Sequence, residues 1–449
     1  MTQRKSLCAA AVALALVSGS AFATNGYFAH GYGTKNKGMA GAGVALPQDA
    51  MTAATNPAGM ASVGNRMDFG AAVFSPLRSY TADTPTGANG FVPGTGIGLV
   101  NGNGTTVDSE RDLFLVPHFA YNTMLTATTS LGVAVYGNGG MNTFYRDTDT
   151  PGGFGTFGGP GGGPGIPIPA GNTGVDLMQL FIAPTYAMKV NDKVSIGVSA
   201  ILAYQRFKAH GLINYSGLSN DAPNLTENDY DDSYGAGAKI GILAELNDRV
   251  SVGASYQSRI YMSEFDKYAG LFAEQGDFDI PSNFTIGAAF KATPKLTVTA
   301  DVQHIMYSEV DSIANPISPN IVTCATRVTL TDPSCLGGDN GIGFGWDDMT
   351  IYKLGLQWEY SSDLTLRAGF SHAKQPIPSS EVIFNIIAPA VVENHFTLGG
   401  TQQLSKDSEL SVSALYAPEK KLAGNPTGEQ DVELKMHQFE LEVSYGMTW

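Results

Sequence analysis

The chain has 449 residues, a formal net charge of −15 and only 15% charged residues. Soluble domains commonly carry about a quarter charged residues, and the acidic balance argues against a nucleic-acid partner. The 54 glycines, 22 phenylalanines and 19 tyrosines are more typical of a membrane β-barrel than of a soluble domain.

The first residues have the features of a secretory signal peptide. Arg4 and Lys5 form a basic start, Leu7–Val17 is an apolar run, and Ala21-Phe22-Ala23 is a small-x-small cleavage site. The mature chain is therefore predicted to begin at Thr24. The apolar run is too short to span a bilayer as a helix, and no later stretch has about 18 consecutive apolar residues.

Residues 24–64 differ from the rest of the chain, because they are rich in small residues and show no strand pattern before Asn65. They contain few charges and several apolar side chains, among them Tyr27 and Phe28, so disorder is a poor interpretation. A barrel of about fourteen strands also has a lumen too wide to be filled by its own side chains. We therefore predict that this segment is a plug inside the lumen.

From Asn65 onward, apolar and polar residues alternate with period two, as in strands that face lipid on one side and the lumen on the other. The alternation is clearest in the last strand, where the apolar face comprises Phe439, Leu441, Val443, Tyr445, Met447 and Trp449. A terminal aromatic residue that closes such a strand resembles the signal recognised by the barrel-assembly machinery. The strands are therefore predicted to lie in the outer membrane, in contact with lipid and lipopolysaccharide.

Short turns and long loops alternate along the same part of the chain. Six short turns fall at 122–125, 191–192, 247–248, 293–294, 361–363 and 405–407. Seven polar or Gly/Pro-rich loops cover 81–111, 147–173, 211–229, 268–277, 312–345, 375–390 and 418–431. Short periplasmic turns, long external loops and an even strand number are typical of single-chain bacterial barrels. We predict an all-β fold with a signal peptide (1–23), an N-terminal plug or hatch inside the lumen (24–64) and a transmembrane barrel of about fourteen antiparallel strands (65–449).

Only two cysteines, Cys324 and Cys335, follow the predicted signal peptide, and both lie in one polar stretch. An even pair in an exported chain predicts a local disulfide that closes a loop. The seven histidines are scattered, and neither metal-ligand spacing nor a Gly-x-Ser-x-Gly motif is present. We therefore predict no metal, no cofactor and no enzymatic activity, with an outer-membrane lipid-processing enzyme as the alternative from another class.

Several residues in the inward phase of the strands are apolar, although a water-filled porin would be polar there. They are Phe74, Phe114, Val116, Phe181, Leu243 and Leu415. These side chains either pack against the plug or line a cavity for an apolar ligand. Three cations, Lys239, Lys353 and Arg367, share the inward phase. They are candidates to bind a ligand carboxylate, or they pair with luminal carboxylates and stabilise the wall.

The hatch segment resembles a known family. The matching motifs are Gly38-Met39-Ala40-Gly41-Ala42-Gly43, Asp49-Ala50 and the triplet Asn56, Pro57 and Ala58 before Gly59. They resemble the hatch of the FadL long-chain fatty acid transporter family, which includes importers of aromatic hydrocarbons. The resemblance continues through Val116-Pro117, the strand 126–146, Ile280-Pro281, the segment 367–378 and the final strand, and so covers essentially the whole mature chain.

The resemblance implies a monomeric channel for passive uptake of hydrophobic small molecules, foremost long-chain fatty acids and alternatively aromatic hydrocarbons. It implies sideways exit of the ligand at a kink in the third strand, next to the Asn-Pro-Ala triplet. The matching kink residues are Gly137, Asn138, Gly139 and Gly140, and glycines within a strand permit such a bend. The candidate ligand contacts are Tyr27, Phe28, Phe74, Phe114, Phe181, Leu243, Lys239, Lys353 and Arg367. A water-filled porin and a phage receptor or adhesin are further alternatives.

Overall fold

A computed structural model describes residues 25–449 except 88, 92–97, 154, 158–169, 328 and 330. The predicted signal peptide 1–23 lies outside the described residues, and its cleavage stays a prediction.

Fourteen long strands, labelled β1 to β14, account for nearly half of the described chain. Their bounds are β1 Arg66–Ala82, β2 Phe114–Met124, β3 Thr129–Asn142, β4 Gly174–Asn191, β5 Val194–His210, β6 Asp231–Asn247, β7 Val250–Gln257, β8 Asn283–Thr293, β9 Leu296–Ile305, β10 Met349–Glu359, β11 Leu364–Ala373, β12 Asn394–Ser405, β13 Ser408–Gly424 and β14 Val432–Thr448. Two short strands, Thr106–Asp108 and Tyr261–Met262, pair with the external ends of β1 and β6.

The strands form a closed antiparallel barrel. Each long strand pairs with its neighbours in the chain, and β14 pairs with β1 from Arg66↔Thr448 to Ala82↔Val432. All six predicted short turns connect consecutive strands. Closure leaves no sheet edge exposed to lipid at this seam, as a membrane-spanning sheet requires. The predicted fourteen-stranded barrel is confirmed.

Side chains alternate between the outside and the lumen, as the sequence pattern predicts. Phe439 and Leu441 on β14 are 46% and 53% exposed, whereas the alternating Glu440 and Glu442 are 5% and 1% exposed. The exposed apolar residues form the lipid-facing surface, and the buried polar ones point inward.

The helices are short. Residues 25–64 contain α1 Thr34–Lys37, α2 Thr52–Thr55 and a 3₁₀ segment Pro57–Ser62. The external loops contain α3 Ala273–Gly276, α4 Asp311–Ala314 and α5 Asn320–Ala325, with 3₁₀ segments Asp147–Asp149, Pro151–Gly153, Ile213–Leu218, Ala222–Asn224, Asp266–Tyr268, Tyr307–Glu309, Ser379–Glu381 and Phe384–Ile386. Within the described residues, every helix falls short of the length and apolarity needed to cross a membrane.

The external loops pack into an apolar layer above the barrel. The loop expected at 268–277 in fact runs from 258 to 282, because β7 ends at Gln257 and β8 begins at Asn283. Ile260 and Phe265 are fully buried in the apolar layer, so their apolar character does not mark a lipid-facing strand. The same layer contains the predicted disulfide between Cys324 and Cys335.

Candidate functional site: the hatch and a gap in the barrel wall

Residues 25–64, here called the hatch, contact inward-facing residues of the barrel. The Asn56 side chain caps the Pro57–Ser62 segment by accepting a hydrogen bond from the Ala58 amide at 3.1 Å, and it donates to the carbonyl of Ile242 on β6 at 3.0 Å. A Cβ on Gly241 would lie 2.0 Å from Asn56 Oδ1. The Asn-Pro-Ala triplet is thus docked on β6, where Gly241 leaves room for the Asn56 side chain.

The three inward cations suggested as carboxylate ligands all donate hydrogen bonds to the hatch. Lys239 Nζ binds the carbonyl of Ala54, Lys353 Nζ lies 3.1 Å from the carbonyl of His30, and Arg367 Nε lies 2.7 Å from Gln48 Oε1. All three side chains are buried. Arg367 also donates to Gln357 and Thr401 on the wall, and within the described residues none of the three cations donates to the wall carboxylates considered from the sequence.

A buried ion cluster joins α1 of the hatch to β14. Lys37 Nζ lies 2.9 Å from Glu440 Oε1 and 2.7 Å from Glu442 Oε2. Thr34 Oγ1 donates to the other oxygen of Glu442 at 2.8 Å. The three charged side chains are at most 5% exposed. Lys37 therefore bridges two carboxylates that water does not reach, while His118 Nδ1 lies 3.4 Å from Glu442 Oε1. The position of α1 is thus energetically important.

The predicted kink of β3 is present as a bulge. The register against β4 shifts between Gly137 and Gly139, so Asn138 is an extra residue in β3. The Asn138 side chain donates to Gln179 Oε1 at 3.0 Å and accepts from the Tyr32 hydroxyl at 2.9 Å. A bulge of one residue bends a strand and interrupts its ladder.

The bulge accompanies a gap between β2 and β3. The two strands pair from Met124↔Ser130 to Phe119↔Val135, and the pairing ends there. Beyond that point, residues 114–118 pair only with β1 and residues 136–142 pair only with β4 among the strands. The wall therefore lacks about five residue pairs of hydrogen-bonded sheet at this place.

The hatch occupies the free edge of β3 at the gap. Phe28 bridges Gly139, with Gly140 N donating to Tyr27 O at 3.0 Å and Ala29 N donating to Asn138 O at 2.9 Å. A Cβ on Gly139 would lie 2.0 Å from Tyr27 O, so only glycine permits this approach. The bulge therefore contacts residues 27–29 of the hatch, whereas the Asn-Pro-Ala triplet, which the resemblance placed beside it, lies against β6.

Packed apolar side chains extend from the external loops to this part of the hatch. A narrow cavity in the loop layer is lined by Val175, Phe207, Leu212, Tyr215, Leu225, Leu271, Phe272, Ser312, Leu336, Ile342, Phe344, Phe384 and Ile387. From Phe272, ring centroids follow at 4.8 Å to Phe278 and 6.2 Å to Tyr27. From Phe344, they follow at 6.2 Å to Trp346 and 6.1 Å to Tyr27. Tyr27 and Phe28 thus lie at the lower end of an aromatic column.

Some of the inward apolar residues pack on the hatch, and others pack on apolar side chains of the barrel and loops. Phe181 joins the main apolar cluster beside Tyr136, whereas Leu243 packs on Ala45 and Ala58 of the hatch. Phe74 and Phe114 contact each other at the upper end of the gap. Packing on the hatch therefore applies to Leu243, whereas the lining of a ligand cavity by the inward apolar residues stays a prediction. The aromatic column itself is built mainly from loop residues. The alternation of residues along the strands gives no information about them.

A lipid-facing barrel that contains a hatch beneath an apolar external cavity defines an outer-membrane transporter of hydrophobic compounds. Residues 14–446 match the family described as outer membrane protein transport protein (OMPP1/FadL/TodX), and the chain belongs to this family. It is a transport protein and not an enzyme.

Solved structures support the same fold. The toluene transporter TodX of Pseudomonas putida superposes with a TM-score of 0.64 at 16% identity, over 95% of this chain and 100% of that one. A FadL homologue of Pseudomonas aeruginosa has a TM-score of 0.64 at 16% identity, with 94% and 99% of the two chains covered. The toluene transporter TbuX of Ralstonia pickettii has a TM-score of 0.61 at 16% identity, again over 94% and 99%. The curated proteins contain no significant match.

Proposed function

We propose that the protein takes up hydrophobic small molecules passively and releases them sideways into the membrane through the gap between β2 and β3. The ligand enters the external cavity, moves down the aromatic column to Tyr27 and Phe28, and leaves when the hatch segment moves off β3. The observation that carries the proposal is the missing pairing between residues 114–118 and 136–142.

The hatch contacts support this route in two ways. Residues 27–29 form two backbone hydrogen bonds with the free edge of β3, each of which contributes about 1 kcal/mol net, in addition to the burial of Tyr27 and Phe28. The rest of the hatch is held by the buried Lys37 cluster and by the three cations described above. A local movement at Tyr27–Ala29 is therefore much less costly than removal of the whole hatch.

The cargo is proposed as long-chain fatty acids, with aromatic hydrocarbons as the second candidate. The described residues that line the external cavity include no charged side chain, and the Ser312 hydroxyl already donates to the carbonyl of Asp277. This cavity suits the hydrocarbon part of a ligand whether or not the ligand carries a charge. TodX and TbuX are toluene transporters, which favours keeping uncharged aromatics as the second candidate.

The lateral exit is tested by removing the bulge. Deletion of Asn138 lets β3 continue in register with β4 and reach residues 114–118 of β2. We expect this variant to fold, shown by heat-modifiable migration, and to lose uptake of radiolabelled palmitate and toluene. The control is Gly217→Val, where a Cβ meets no heavy atom within 4 Å. Unchanged uptake by a variant with a straightened β3 would contradict the proposed lateral exit.

The plug is tested by swelling of liposomes that contain the purified protein. Since the hatch occupies the lumen, we expect no measurable entry of small sugars. Rapid sugar-driven swelling would instead indicate a water-filled porin. Mass spectrometry of ligands recovered from the purified protein would identify the cargo, with an alkyl acid or an uncharged aromatic as the informative outcomes.

A further inference from the structure

Arg78 on β1 is a buried cation without an acidic partner. It points into the lumen and is 4% exposed. Its Nε and Nη2 atoms donate only long hydrogen bonds of 3.4 Å, to the carbonyls of Pro76 and Arg111, and Nη1 makes none to the described residues. Asp112 and Asp176 act on it only through space. A buried guanidinium is normally paired with a carboxylate or phosphate, so this one is under-compensated.

Other inward cations of the barrel and hatch have either an acidic partner or a hydrogen-bond partner in the hatch within the described structure. Lys35 and Arg66 share Glu409 at 2.5 Å and 2.7 Å, and Lys37 binds two glutamates. Lys239, Lys353 and Arg367 donate to the hatch, as described above. Arg78 has neither kind of partner among the described residues, so its charge is available to a ligand.

Arg78 lies at the upper end of the gap in the wall. Its guanidinium carbon is 5.9 Å from the ring centroid of Phe114, the first residue of the unpaired stretch of β2. Phe114 packs against Phe74, which lies two inward positions below Arg78 on β1. Further down, Val116 lines a small cavity beside the gap, together with Tyr136. A continuous apolar strip therefore leads from the guanidinium down the inner edge of the gap.

The height of Arg78 matches the surface of the outer leaflet. The outward side chains of β14 change from apolar at Leu441 and Phe439 to polar at His437 and charged at Lys435. Arg78 pairs with Met436, between the two polar positions. Apolar side chains mark the hydrocarbon band, and the change to charge marks its boundary. An amphiphile that leaves sideways at this level has its polar head beside Arg78 and its tail in the hydrocarbon band.

We propose that Arg78 binds the carboxylate of an amphiphilic acid at the upper edge of the gap, with the hydrocarbon tail lying over Phe114 and Phe74. This inference rests on the proposed lateral exit. Arginine suits the task because its planar fork can bind a carboxylate through two parallel hydrogen bonds. The site would orient the acid head outward before it enters the outer leaflet, and a neutral hydrocarbon would pass without this contact.

The test compares an acid with its uncharged analogue. Binding of radiolabelled palmitate and hexadecanol is measured on the purified full barrel in neutral detergent, at a pH where palmitate is ionised. We expect Arg78→Gln to weaken palmitate binding by about tenfold or more, as for loss of a charge-assisted hydrogen bond, and to leave hexadecanol binding within about twofold. Arg78→Lys retains the charge but not the fork, so it should fall between wild type and Arg78→Gln. Arg146→Gln, an exposed arginine paired with Glu110, is the matched control.

Three outcomes would overturn the assignment. Equal loss of palmitate and hexadecanol would mean that Arg78 supports packing only. Unchanged palmitate binding in Arg78→Gln would exclude the carboxylate site while leaving the proposed function intact. Wild-type protein that does not bind palmitate would exclude both the site and fatty acids as the cargo, and failure to bind toluene as well would reject the proposed function itself.

Discussion

Replacement of Lys37 by methionine should release the hatch from the wall. The substitution keeps an unbranched side chain of similar length but leaves Glu440 and Glu442 buried without their cation. Removing one partner of a buried ion pair costs about 3–5 kcal/mol. Since about 1.4 kcal/mol corresponds to a factor of ten, the ratio of displaced to seated hatch should rise by roughly two to three and a half powers of ten.

The displaced hatch is measurable in two ways. Liposomes that contain Lys37→Met should swell in small sugars faster than those with the wild-type protein, because hydration of the two carboxylates requires α1 to move. Hydrogen exchange of the amides in residues 34–44 should accelerate in the same variant. Lys37→Arg retains the cation, and Lys406→Met changes a lysine whose side chain is 88% exposed, so both controls should resemble wild type. A folded Lys37→Met barrel with unchanged swelling and exchange would show that this cluster does not hold the hatch.

Three further predictions concern the external loops. Burial, together with nearby Asp279, raises the pKa of the Asp277 carboxyl to about 7. The folded loops therefore hold a proton that the unfolded chain loses, and this stabilisation disappears as pH rises through about 7. Hydrogen exchange in residues 263–282, corrected for intrinsic rates, should accelerate from about pH 6 to pH 8, and Asp277→Asn should remove the dependence. Leu225→Asp places a charge in the external cavity and should weaken palmitate and toluene binding about tenfold or more. The variant should still form the heat-modifiable barrel. Equal affinity of wild type and variant would exclude this cavity as the capture site. Replacement of both Cys324 and Cys335 by serine opens a loop with a sequence separation of 11 and should destabilise the loop layer by about 2–3 kcal/mol. The loss should be seen as faster proteolytic cleavage in this layer. Unchanged proteolysis would contradict a stabilising role of the disulfide.

The strands were predictable because their pattern is local. A residue that faces lipid must be apolar wherever the strand lies in the barrel, so Leu441 and Phe439 reveal their strand without knowledge of any neighbour. The short turns were also predictable, because a turn depends on the types of a few neighbouring residues. The loop after β7 was misjudged because Ile260 and Phe265 are buried by other loops, and apolar character alone does not distinguish protein from lipid as the neighbour.

The candidate site was only partly predictable. The position of the bulge at Asn138 followed from the glycines around it and from the family resemblance. The partners of Lys239, Lys353 and Arg367 did not, because a hatch of small residues has no periodicity that indicates its path across the lumen. Arg78 was missed, although the inward phase that contains Phe74 includes it four residues later on the same strand.

By itself, the sequence determined an outer-membrane barrel of fourteen strands, because the alternation of residue type is a pattern at short separation. The plug role of residues 24–64 and the exit at the third strand stay predictions. The tertiary structure alone decided that residues 27–29 hold the free edge of β3, that three of the inward cations bind the hatch, and that Arg78 is left without an acid. These contacts join residues far apart in the chain, such as Phe28 with Gly139 and Lys353 with His30. The free energy of these contacts depends on which polar groups are buried together away from water. The groups come together only when the barrel closes around the hatch.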